Sequence, residues 1–198
     1  MDQGAEVIVV DGGSSDDSPA IAECFRCIVA ESPRGRARQM NSGAALAGGD
    51  VMLFLHADTR LPDGAHGLVA EALSDWRCAW GRFDVRIEGA GGTLRLVAWM
   101  MNGRSRLTGI ATGDQAIFVT RGAFTEVGGF PDQPLMEDVE MSKKLGRISP
   151  PACLRARATT SARRWQARGV WRTILLMWKL RFDYWRGVPP SVLADAYR

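Results

Sequence analysis

Several polar groups stand where the apolar pattern of the chain stops, and each has the chemistry to hold part of one ligand. Asp11 closes the β-branched run Val7–Val10 and is followed by Gly12, Gly13, Ser14 and Ser15. A carboxylate over glycines suits the hydroxyls of a sugar or base, because glycine lets backbone approach a ligand closely. Arg34 and Arg36 follow a second apolar stretch, and arginines suit phosphate oxygens. Asp58 comes just after the apolar run Val51–Leu55, where a carboxylate suits a hard divalent cation bridging phosphates. Further along stand Asp114 with Gln115, Glu137 with Asp138, and Arg164 with Trp165. Each has a plainer reading as turn, cap or helix-dipole residue. Taken together, the first three groups describe a site for a nucleoside diphosphate.

The elements that must position these groups alternate. Val7–Val10 reads as a strand, Pro19–Arg26 as a helix opened by Ser18 and Pro19, Cys27–Ala30 as a short strand and Ala37–Leu46 as a helix closed by Gly48 and Gly49. Val51–Leu55 follows as a strand buried on both faces. Strand, helix, strand, helix, strand predicts α/β architecture with a mostly parallel central sheet, and ligands bind at the carboxyl ends of such strands. Asp11, the 34–38 turn and the 56–58 segment should therefore converge on one edge.

Trp80, Phe83, Val85 and Ile87 alternate as a half-buried strand should, with Trp80 read as core in preference to a sugar platform. Leu94–Met101 suits a packed helix, and Arg104–Thr112 reads as a flexible basic segment able to line an acceptor path. Strand Ala116–Thr120, a helix near Gly122–Val127 and a helix from Glu137 follow. Val170–Trp185 carries Val170, Ile174, Trp178, Phe182 and Trp185 at helical spacing, interrupted by Arg172, Lys179 and Arg181. Such a stripe fits a bilayer interface or packing on the domain or a second copy of the chain, and packing is the expectation. Pro189 and Pro190 should end it, leaving a short tail.

The 198 residues suit one domain, here 1–165, with 166–198 as a basic amphipathic extension. The net charge of +3 hides a split: residues 147–198 hold 11 Lys and Arg against 2 Asp and Glu, so that end should face something acidic. Nothing resembles a zinc finger or an RNA-binding aromatic signature, so no nucleic-acid partner is expected. No apolar run is long enough for a transmembrane helix and no signal peptide opens the chain. A cytoplasmic protein, peripheral at the inner face of the membrane at most, is the expectation. The four cysteines are scattered, and Cys24-x-x-Cys27 alone makes a weak metal or redox motif.

The segment VIVVDGGSSDD resembles the VVDDGSxD signature of family 2, GT-A fold glycosyltransferases, and LFLHADTRL resembles their D-x-D region. TGDQ with the later VGGFPD is similar to the family's G-G-D-N and V-G-G-F-D segment, Glu137-Asp138 to its E-D position and SARRW to the Q-x-x-R-W box of polysaccharide synthases. The HAD, ATGDQAIF and RRW forms look like small bacterial arsenosugar-biosynthesis glycosyltransferases. The resemblance implies a Rossmann-like three-layer sandwich and an inverting transfer of sugar from a nucleoside diphosphate sugar to an acceptor hydroxyl. In it Asp11 contacts the nucleoside, Asp58 holds Mg²⁺ or Mn²⁺ against the donor diphosphate and Asp138 is the general base. Asp114, Gln115 and Glu137 hold donor or acceptor sugar, with Arg164 and Trp165 near the acceptor or diphosphate.

Three departures stand out. His56 replaces the first acid of D-x-D, Ser161 replaces the Gln of Q-x-x-R-W, and the chain opens with MDQGAEV where members carry an apolar strand ending in P-x-x-N-E. A first strand and part of the nucleotide pocket are expected to be missing. A non-catalytic nucleotide-sugar binder or partner module is the alternative reading.

Overall fold

The computed structural model describes residues 4–89 and 91–197, apart from the side chain of Arg164. Strand β1 (Ile8–Asp11), helix α1 (Ser18–Glu23) and strand β2 (Ile28–Glu31) form a parallel pair with its crossover helix. Helix α2 (Arg36–Leu46) then lies close on β1. Gly43 makes this possible, since a Cβ there would come 3.1 Å from Val10 Cγ2. The Gln39 side chain also donates to the Val10 carbonyl at 3.0 Å. The same helix packs Ala37, Met40 and Ala44 against Met52 of β3 (Val51–Phe54). It thus ties β1 to β3, which share no hydrogen-bonded ladder among the described residues.

The second sheet has five strands in the order β3-β6-β5-β7-β4, with β4 at Thr59–Arg60, β5 at Trp80–Ile87, β6 at Ile117–Thr120 and β7 at Ala152–Thr160. The α/β class holds, but the pairing is not mostly parallel: β5 runs parallel to β7, whereas β3/β6, β6/β5 and β7/β4 are antiparallel. Chain order suggested neighbours in sequence. The fully buried run Ile117, Phe118 and Val119 instead inserts β6 between β3 and β5. Nor is β3 buried on both faces, for Met52 is 6% exposed and Val51 40%. β7 escaped the sequence pattern because its inward residues include small Ala156 and Ala158, alternating with exposed arginines 155 and 157.

Helix α3 (Ala65–Ala72) covers Phe83, Phe118 and Ala158 through Ala65 and Val69. Helix α4 (Gly92–Thr108) packs Leu94, Val97 and Ala98 on Val85 and Ile87. It runs on through Arg104, so the expected flexible segment is mostly rigid helix. Trp80 is fully buried with Nε1 donating to the Ser149 carbonyl at 2.9 Å, which makes it core. Helix α5 (Arg121–Glu126) leads to α6 (Glu137–Leu145).

Helices α7 (Arg163–Arg168), α8 (Val170–Trp185) and α9 (Pro190–Tyr197) complete the chain. A helix stands where a tail was expected because Pro190 occupies a first helical position, where its missing N–H costs nothing. Leu180 of α8 and Leu193 of α9 share a core with Leu135, Met136 and Val139 around the start of α6. The outer side of α8 leaves Trp171, Leu175, Trp178, Phe182 and Trp185 exposed. No described helix is long and apolar enough to cross a membrane. All four cysteines are free thiols.

Candidate functional site

β3 delivers His56 and Asp58 past its carboxyl end, and a tight 3₁₀ turn, Gly113–Gln115, comes to meet them. The meeting explains Gly113: a Cβ there would lie 2.1 Å from His56 Nε2, so the imidazole rests on bare backbone. His56 Nδ1 lies 3.5 Å from Asp114 Oδ1, and one ligand atom from each of His56, Asp58 and Asp114 falls within 4.8 Å of the others. An imidazole with two carboxylates is a donor set for a divalent cation, the imidazole pulling preference away from purely oxygen-seeking ions. The turn is fixed from behind. Gln115, fully buried, accepts from the Thr112 N–H at 3.2 Å and donates to Asn102 Oδ1 at 3.4 Å, while Asn102 exchanges two hydrogen bonds with Val85.

The second half of the site enters at α6. Met136, just before it, holds a left-handed backbone with φ of 65°, an uncommon state for a residue with a side chain. Asp138 accepts from the Gly113 N–H at 3.0 Å and from its own neighbour Val139 N–H at 2.8 Å. The carboxylate is thereby locked to the turn that carries Asp114. Glu137 is buried and pairs with Arg36 at 3.3 Å. Burial, and then the charge of Asp138, holds the Glu137 carboxyl above its ordinary range despite Arg36. Burial works against charge on Arg36 too, but Glu137 and Asp138 outweigh it and its pKa rises.

These residues open on one cavity of about 300 Å³. Arg36, Asp58, Asp114, Glu137, Asp138 and Trp165 of the expected site line it, together with His56. Asp11 and Arg34 do not. Asp11 accepts from Gly13 N–H at 2.8 Å, Ser14 N–H at 2.9 Å and the Ser14 hydroxyl, and the Ser14 side chain does most to hold its pKa below the ordinary value. Arg34 donates to the Gly13 carbonyl at 3.3 Å. The turn between β2 and α2 therefore sends Arg34 to the Asp11 loop and Arg36 to Glu137, joining the two groups. Gln115 sits behind the cavity as a brace, and the side chain of Arg164 lies outside the described residues.

Sequence reasoning did not foresee His56 and Asp114 as partners of Asp58, nor Arg181 on the cavity wall; Arg104 was expected to line an acceptor path, but from a flexible segment and not from a helix. A signal existed for the arginines. Arg104 continues the inward face of Val97 and Met101, and Arg181 that of Ile174 and Met177, at helical spacing.

The model of the family described as Glycosyl transferase family 2 matches residues 2–125. Among solved structures the chain is similar to TarS from S. aureus, residues 1–349, at 17% identity and a TM-score of 0.63, covering 79% of this chain and 51% of that one. The same protein in complex with UDP-GlcNAc matches at 18% identity and 0.61, covering 79% and 49%. A mannosyltransferase from Pyrobaculum calidifontis, PcManGT, in complex with GDP-Man and Mn²⁺, matches at 20% identity and 0.60, covering 97% and 59%. The chain thus spans about half the length of the structures it resembles. No curated protein sequence matches it.

Proposed function

Since the chain belongs to glycosyl transferase family 2, we propose that it transfers a sugar from a nucleoside diphosphate donor to an acceptor hydroxyl with inversion. The observation that carries this reading is the meeting of His56, Asp58, Asp114 and Asp138 around one cavity. Asp138 takes the acceptor proton, the freed oxygen bonds to the anomeric carbon, and the bond from that carbon to the diphosphate oxygen breaks. Attack opposite the leaving group inverts the sugar. Asp138 needs no other group to orient it, because the Gly113 and Val139 N–H groups already fix both its oxygens. Arg36, anchored by Glu137, offers charge to the donor phosphates, and Asp11 with Arg34 serves the nucleoside side. We assign Glu137, Arg164 and Trp165 to the sugar and acceptor, and Asp114 to the sugar as well as to the candidate cation site, with Gln115 acting through the turn it braces. A divalent cation held by His56, Asp58 and Asp114 would neutralise charge on the departing diphosphate. The structural neighbours bound to UDP-GlcNAc, GDP-Man and Mn²⁺ support donor and ion of this kind.

The test is thermal-shift and calorimetric screening of UDP- and GDP-sugars with and without Mn²⁺, followed by turnover of the best binder, since ligand binding raises apparent stability. Absence of any nucleotide-sugar response would sink the reading. Binding without transfer would favour the second reading, a non-catalytic binder; the observation on its side is that β1 and β3 share no hydrogen-bonded ladder among the described residues.

For the outer face of α8 we propose contact with an anionic membrane surface. Exposed Trp171, Trp178 and Trp185 beside Arg168, Arg172, Lys179 and Arg186 have the amphipathic, cationic chemistry that an interface attracts. Co-sedimentation with phosphatidylserine vesicles should fall sharply on Trp178→Ser with Trp185→Ser, and unchanged sedimentation would exclude the contact.

A further inference from the structure

Arg104 on α4 and Arg181 on α8 line the same cavity as Asp138, from helices far apart in sequence. Both are spare with respect to the chemistry above. Nε and Nη2 of Arg104 are buried without a hydrogen-bond partner. Neither guanidinium forms a salt bridge with a described residue, whereas Arg36 in the same cavity has Glu137. Burial and the charge of Arg181 push Arg104 down to about 10, and burial also lowers Arg181 although Asp138 and Asp114 oppose it. Buried donors without acceptors are costly, and two cations sharing a wall add to the cost. The ligand that offsets both is an oxyanion able to take several N–H groups at once, which is what the planar guanidinium fork recognises.

Two oxyanions could reach this wall, the donor diphosphate or an acid group on the acceptor. The diphosphate already has the candidate cation site of His56, Asp58 and Asp114 and the guanidinium of Arg36, which reach the cavity from β3, the 3₁₀ turn and α2, while Arg104 and Arg181 enter it from α4 and α8 on the side of Trp165 and Met177. Building on the transferase reading, we propose that Arg104 and Arg181 form an acceptor subsite that binds a phosphate or carboxylate on the acceptor and so holds its hydroxyl at Asp138. The acceptor is therefore an anionic hydroxy compound. Beside the arginines, Met177 and Trp165 give the subsite apolar sides, against which the rest of the acceptor can lie.

The experiment is calorimetric titration of the full chain with inorganic phosphate, with acetate in parallel, before and after saturation with UDP or GDP and Mg²⁺. Phosphate or acetate should bind, and nucleotide should not displace it. Arg104→Gln and Arg181→Gln should each weaken oxyanion binding at least about tenfold, the scale of a lost charge-assisted hydrogen bond, while nucleotide affinity stays within about twofold. Arg104→Lys and Arg181→Lys, checked for folding by near-ultraviolet circular dichroism, should retain part of the binding and guard against a collapsed wall. Phosphate binding lost in the Gln variants of a chain that binds no nucleotide keeps the subsite and sinks the donor reading alone. The proposal fails if neither phosphate nor acetate binds the wild type, or if the Gln variants bind them unchanged. It also fails if nucleotide displaces the oxyanion and the same variants weaken nucleotide equally, which would assign the pair to the donor.

Discussion

The loop after β1 and the turn before β6 both set an aspartate among glycines and hydroxyl residues, yet they hold it in opposite ways. Asp11 is bound within its own loop, by groups two and three positions away, and is half-buried at the surface. Asp114 and Asp138 are 24 residues apart and meet only because Gly113 donates to Asp138 while His56, from a third segment, rests on Gly113. The first site is made by local sequence and exists wherever the loop forms. The second requires the folded sheet, so its charges sit in a partly dry cavity where each interaction counts for more. Variants should accordingly have large effects at the assembled site and small ones at the local loop.

The widest gap is expected for Asp138→Asn. If Asp138 is the general base proposed above, its loss should lower the transfer rate by roughly 10²–10⁴-fold with donor affinity little changed. Asp11→Asn should instead alter donor affinity and leave the rate at saturation nearly intact. A rate retained in Asp138→Asn would put the base elsewhere and erase the contrast.

Gly113→Ala probes how the site is assembled. Its Cβ cannot coexist with the imidazole 2.1 Å away, so His56 must swing off the turn. Overpacking of this kind costs about 1–3 kcal/mol, read by urea denaturation. The same variant should lose any Mn²⁺-induced rise in melting temperature. Gly13→Ala, where a Cβ meets nothing but the backbone φ is 86°, should be strained yet keep the metal response. An undiminished Mn²⁺ response in Gly113→Ala would separate His56 from the ion site.

Removing ligands directly gives a smaller, graded effect. His56→Ala and Asp58→Asn should each reduce Mn²⁺-dependent nucleotide binding, and chelation should bring the wild type down to the level of Asp58→Asn. If chelation leaves the wild type's nucleotide binding intact, the three-residue cluster is only a polar contact.

The same contrast explains what could be read in the sequence. Asp11, Asp58, Asp114 and Asp138 were visible because each sits at a junction where an apolar run gives way to polar residues or a helix begins, and such junctions leave one-dimensional marks. What was not visible depends on which segments become neighbours. His56 looked like a lost acid, since nothing local says that Asp114 will stand beside it. The antiparallel insertion of β6 is a consequence of burial in three dimensions, and β7 carried too many small and charged residues to show an apolar alternation. Arg181 resembled a solvated interruption of a helical stripe and Arg104 the start of a flexible basic segment, because a buried cation breaks the rule by which helical stripes are recognised.

The smallest expected effect lies in the pH dependence of stability, where the two sites should differ in sign. Glu137 has its carboxyl raised, first by burial and then by Asp138, so the folded protein holds that proton more tightly than the unfolded chain. Its contribution is greatest at or below the ordinary carboxylate range and is lost as pH rises through the raised folded value. Asp11 has its pKa lowered by the Ser14 hydroxyl and neighbouring N–H groups, so its contribution is present above the ordinary range and lost as pH falls through the lowered value. Urea midpoints measured from acid to neutral pH should therefore show Glu137→Gln flattening the decline above the carboxylate range and Asp11→Asn flattening the acid limb. Because Asp11 lies in a surface loop and is less buried than Glu137, its share should be the weaker and fade with added salt, whereas that of Glu137 should persist. An acid limb that resists salt while the Glu137 limb vanishes would mean that the loop, and not the cavity, is the shielded site.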